Sequence, residues 1–214
     1  MVDFTDREEE LVEVLPGQTA RPKKITIVVV IAIILAILYL MGFLGTIPAL
    51  IMHTVSPGGF NFAPPSDDPQ FQMQAEMQAK MAAVTQTYFI PMILMALGML
   101  AVGSMMLYSS IQVLRRGQLS DYRLLNNTIV IAIMLVIANA ISTVLIQMAN
   151  WQAMESALSA ETAGGPQAAM LKNIMMFSMV IGIVLAVGFE LAKLVYFILA
   201  RWILGHYITT LDES

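Results

Sequence analysis

Four long apolar runs dominate this chain: Ile25–Met52, Tyr88–Leu114, Asn126–Asn150 and Lys172–Leu204. A bilayer's hydrocarbon core is about 30 Å thick, and a helix rises about 1.5 Å per residue. About 20 apolar residues therefore suffice to cross it, and each run is longer than that. The expected fold is all-α: a polytopic membrane protein with a bundle of four transmembrane helices. Composition agrees, with 58% hydrophobic residues, 12% charged residues and a mean hydropathy of +0.75. Those are membrane values, well above those of a soluble core.

Composition also removes several function classes. Cysteine is absent, which excludes a disulfide framework, a thiolate nucleophile and a cysteine metal site. Histidine occurs only at His53 and His206, too thinly for a histidine-based metal or acid–base centre. The net charge of −4 gives no nucleic-acid signal. No Gly-rich phosphate loop, HExxH or GxSxG motif is present, so no enzyme activity and no cofactor are expected.

The fourth run is the only one with ionisable side chains in its interior, Glu190 and Lys193. With the span centred near Ala186 or Val187, Glu190 falls about 5 Å from the midplane. A charge at that depth costs several kcal/mol against lipid, so it should face protein or water. Ser178, Gly182 and Ala186 recur every four residues, and Glu190 continues the series. Small residues at that spacing let helices approach closely, which marks this stripe as a packing face. Lys193 stands at i+3 from Glu190, close enough to neutralise it while its stem reaches toward the interface.

Polar residues in the other runs fall near the same depth. Asn139, Thr143, Gln147 and Asn150 share one face of the third helix. Asn139 lies within roughly 6 Å of Glu190 in depth. Ser104 and Tyr108 on the second helix fall near the levels of Glu190 and Lys193. These residues make a candidate intramembrane polar cluster that either ties helices together or binds an ion or proton.

The connecting segments add detail. Residues 1–24 form an acidic head ending in Arg21, Lys23 and Lys24. Residues 53–87 begin as irregular loop around Pro57-Gly58-Gly59 and Pro64-Pro65, then turn Gln-, Ala- and Met-rich, which predicts an amphipathic helix. Met73, Met77 and Met81 share a face of it, and their soft thioether sulfurs suit Cu(I). Residues 115–125 are expected as a short cytoplasmic loop, 151–171 as an extracytoplasmic loop with room for some helix, and 205–214 as a cytoplasmic tail. Lys and Arg concentrate in the head, in the 115–125 loop and at Arg201. The positive-inside rule then sets both termini in the cytoplasm. Leu100-Ala101-Val102-Gly103 recurs as Leu185-Ala186-Val187-Gly188, and Thr26-Ile27-Val28 as Thr128-Ile129-Val130. Two parallel helix hairpins related by an axis along the membrane normal would explain both repeats.

Arg21-Pro22-Lys23-Lys24-Ile25-Thr26-Ile27, opening straight into an apolar helix, resembles the start of uncharacterised bacterial four-helix integral membrane proteins. The resemblance implies a bacterial inner-membrane location and carries no activity or site residues with it. The sequence as a whole points to a non-catalytic protein whose partners are the lipid bilayer and either a membrane-protein partner or further copies of itself. The leading expectation is an accessory or assembly subunit of a larger membrane complex. Ion or proton transport through the Asn139/Glu190/Lys193 cluster and Cu(I) binding by the outer methionines are the alternatives.

Overall fold

The structure, a computed structural model, describes residues 22–55, 69–160 and 166–213. They form five helices: α1 (Lys23–Val55), α2 (Pro69–Thr87), α3 (Phe89–Arg115), α4 (Leu119–Ala160) and α5 (Pro166–Asp212). Among the described residues there is no strand. α1, α3, α4 and α5 are each long and apolar enough to cross a bilayer. The chain is an all-α integral membrane protein.

Local chemistry sets the helix ends. Pro22 precedes α1, and its carbonyl accepts the first bond of the helix from the Ile25 amide at 2.9 Å. α3 stops where Gly117 turns left-handed at φ 63°. There the Arg116 amide donates to the Gln112 carbonyl at 2.8 Å, a glycine-terminated helix end. α4 restarts at once. Asp121 in its first turn accepts from the Gln118 amide at 3.2 Å, and its charge suits the positive end of the helix. Pro91 falls in the first turn of α3, where its missing N–H is tolerated.

Two helices run further than the sequence reading expects. α4 has 42 residues and takes in both Leu119–Leu125 and Trp151–Ala160. α5 has 47 and takes in Pro166–Leu171 and Gly205–Asp212. Polarity marks where a chain leaves the membrane, but it does not stop a helix. Gln152, Ala153, Met154, Glu155 and Ala157 are all good helix formers.

The chain packs as two compact units, each drawing on several helices. Among the described residues, the first contains 22–41, 100–133 and 196–213. Here every helix contributes a buried seam at helical spacing. α1 gives Ile25, Val29, Ala32 and Ala36; α4 gives Tyr122, Leu125, Ile129 and Ala132; α5 gives Phe197, Ala200 and Leu204. α3 gives Val102, Met106 and Val113, with Ser109 and Ser110 buried beside them. Gly103 allows the closest approach: a Cβ there would lie 3.1 Å from the Ala36 carbonyl oxygen and 3.1 Å from the Tyr39 Cβ. The Tyr196 hydroxyl donates to the Val28 carbonyl at 2.6 Å. Tyr122 meets Tyr207 edge-on at 5.1 Å, and Arg123 holds both carboxylate oxygens of Asp212 at 2.8 Å.

Among the described residues, the second unit contains 42–55, 69–99, 134–160 and 166–195. Among its described residues only Ala96, Val136 and Glu190 are buried. The α5 stretch from Asn173 to Phe189 has no buried side chain among those described. The repeated tetrapeptides are therefore not equivalent in packing. Gly103 is pressed against α1, while nothing lies within 4 Å of the position a Cβ would take at Gly188.

Candidate functional site

The candidate site belongs to the second unit and is built by α4 and α5. Glu190 is 7% exposed. Its Oε1 accepts from Asn139 Nδ2 at 2.8 Å and from Lys193 Nζ at 2.5 Å. The ammonium also stands 5.0 Å above the Phe189 ring, a favourable cation–π placement. The lysine thus turns inward to the carboxylate, rather than reaching for the interface.

Helical geometry explains the convergence. Lys193 is one turn beyond Glu190 on α5, the spacing at which side chains meet. Asn139 lies on the α4 face that also carries Thr143, and it donates across the helix pair. Carboxylate, ammonium and amide form a net-neutral group, the arrangement under which ionisable side chains persist in an apolar setting.

One atom is left over. Glu190 Oε2 is buried and has no hydrogen-bond partner among the described residues. A carboxylate oxygen offers two lone pairs, and leaving them unmatched in an apolar region is costly. Oε2 can therefore take a proton, a water or a small cation.

A cavity of about 120 Å³ adjoins the same asparagine. Asn139, Ser142 and Thr143 form its polar wall on α4, with Thr46 on α1. Met92, Met95 and Met99 on α3 form the apolar wall, with Pro91 at one end. It has room for water, and the Ser142 and Thr143 hydroxyls line it. The Thr46 hydroxyl already donates to the Phe43 carbonyl at 2.7 Å. That bond lies one turn before Pro48, which interrupts the α1 hydrogen-bond ladder.

The other residues singled out by sequence lie as follows. Gln147 and Asn150 are half-buried on α4, and no hydrogen bond joins them to Glu190 among the described residues. Ser104 and Tyr108 belong to the first unit and are exposed on α3. The close fit of Gly103 against α1 sets the rotation of α3, and the next residue and its i+4 neighbour turn outward. Ser178 and Gly182 are exposed and Ala186 is half-buried. Nothing lies within 4 Å of the Cβ position at Gly182, so the stripe is uncovered there, while its Glu190 end meets α4. Met81 is exposed on α2, while the side chains of Met73 and Met77 lie outside the described residues. Among the described residues no cluster of three His, Asp or Glu side chains is placed to hold a metal.

Sequence reasoning missed Thr46, the Met92/Met95/Met99 wall and the Tyr196 bond. The methionines do carry a signal, the i, i+3, i+7 spacing of one helix face. Comparison with family models, with curated proteins and with solved structures found no match.

Proposed function

We propose that this protein is a non-catalytic subunit of a larger membrane assembly, which covers the open side of α5 in the second unit. The proposal rests on the burial pattern. A lipid-facing helix in a bundle normally keeps one face against its neighbours. From Asn173 to Phe189, α5 keeps no described side chain buried, and the Ser178/Gly182/Ala186 stripe faces open space at Gly182. Small residues at four-residue spacing are the surface on which membrane helices approach one another. The positive-inside rule and the resemblance at the first helix favour a bacterial inner membrane with both termini cytoplasmic.

The test is extraction from the native membrane in mild detergent, followed by native gel and size exclusion, with wild type beside Gly182→Leu. A stoichiometric partner that comigrates with wild type and is lost in Gly182→Leu is expected. A lone monomer in wild type overturns the proposal.

A second reading has an observation of its own. The unmatched Glu190 Oε2, with a small cavity beside Asn139 that carries hydroxyls on one wall, suits a site for proton or cation passage. Lys193 argues against a stable cation, because it already occupies the other oxygen. Proton flux in reconstituted vesicles that disappears in Glu190→Gln would favour this reading over the first.

A further inference from the structure

A second concave surface lies in the first unit and shares no residue with the candidate site. It is a groove of about 510 Å³ lined by Ile133 of α4 and by Ile198, Arg201, Trp202, Gly205 and His206 of α5. Three features point to one class of ligand. Arg201 and His206 are exposed, and neither forms an ion pair among the described residues. Trp202 is 75% exposed, an indole presented outward where a membrane helix meets the headgroups. Nothing lies within 4 Å of the Cβ position at Gly205, so the floor between the two basic side chains is open.

The groove is also graded along the helix. Arg201, Gly205 and His206 lie toward the polar end of α5, where Asp212 is held by Arg123. Ile198 and Ile133 lie on the apolar side. The Tyr196–Val28 bond ties this part of α5 to the first turns of α1, so Arg201 sits at the same end of the unit as Lys23 and Lys24. A basic, indole-flanked pocket that continues into an apolar track matches a ligand with an anionic head and a hydrocarbon tail.

We propose that this groove binds one anionic phospholipid. The Arg201 guanidinium takes the phosphodiester as a forked donor, assisted by the His206 ring. The open backbone at Gly205 admits the headgroup, and the first acyl chain runs along Ile198 and Ile133. An unpaired arginine fits a phosphate better than a zwitterionic choline headgroup, whose own cation competes for it. The proposal is independent of any partner on the second unit.

The full-length protein is purified with phosphatidylglycerol or phosphatidylcholine at equal concentration, and retained lipid is counted by native mass spectrometry. Wild type is expected to retain one phosphatidylglycerol, about tenfold over phosphatidylcholine. Arg201→Gln should weaken retention about fivefold, the usual effect of one basic residue near an anionic lipid. Gly205→Leu keeps both basic side chains but fills the floor, and it should abolish retention; Gly205→Ala should leave it unchanged. Both substitutions raise helix propensity, so neither should lower the melting temperature. Equal retention of the two lipids, or undiminished phosphatidylglycerol in Gly205→Leu, overturns the proposal. Displacement of the lipid by millimolar inorganic phosphate alone would reassign the groove to a soluble phosphate and overturn the lipid as its occupant.

Discussion

In the first unit, four helices sink apolar seams toward one another, and Gly103 brings two backbones almost into contact. In the second, stretches of the same four helices bury only Ala96, Val136 and Glu190 among the described residues. Apolar side chains gain nothing by leaving lipid for a protein interior, so cohesion in a bilayer comes from close fit or from polar bonds. The first unit uses fit along all four helices; the second has one tight fit, where a Cβ at Gly98 would lie 2.7 Å from the Leu135 side chain, and one hydrogen-bonded carboxylate. Hydropathy alone does not separate them, because leucines and isoleucines line both.

Substitutions that attack each kind of cohesion put this contrast to the test. The largest effect is expected from Lys193→Met, which leaves Glu190 buried with only Asn139 as donor. Equilibrium unfolding in detergent should show a loss of about 3–5 kcal/mol, most of it recovered when Glu190→Gln is added. A loss below about 1 kcal/mol, within the range of a single membrane hydrogen bond, would mean that the second unit is held by something else. Next comes Gly103→Leu, which should cost the first unit about 1–3 kcal/mol through overpacking, whereas Gly182→Leu should cost the isolated protein nothing. Equal costs at the two glycines would erase the distinction between the units. Tyr196→Phe removes the bond to Val28 and should lower stability by about 0.6–2 kcal/mol, read as faster amide exchange in the first turns of α1. The smallest effect belongs to Arg123→Gln. The Arg123–Asp212 pair is 57% and 40% exposed at its side chains. Its loss should cost at most about 1 kcal/mol and vanish in high salt.

The same contrast explains what was legible in the sequence. The spans were, because length and apolarity are properties of one segment. Glu190 and Lys193 were, because an ionisable residue in such a run stands out, and their i, i+3 spacing fixes their contact. Asn139 came into view through the polar stripe of α4. Ser104 and Tyr108 did not resolve in the same way. The polar residues of α3, Ser104, Tyr108, Ser109, Ser110 and Gln112, fall on several of its sides, so its rotation depends on where Gly103 meets α1, a fact about two segments at once. The ends of α4 and α5 were hidden for a different reason: residues such as Gln152 and Glu155 leave the membrane without leaving the helix. The small-residue stripe of α5 was read as a contact face, and its own chain leaves Gly182 uncovered.

The hydrogen bond from Tyr196 to Val28 joins residues 168 positions apart. A ribosome adds roughly 5–20 residues each second, so α1 waits on the order of ten seconds or more for that bond. α3 is synthesised sooner, so the partner that meets Ala36 through Gly103 exists before Tyr196 does. The first unit is thus begun early and finished last. In the interval the Val28 flank of α1 is exposed to lipid or to whatever receives new membrane helices.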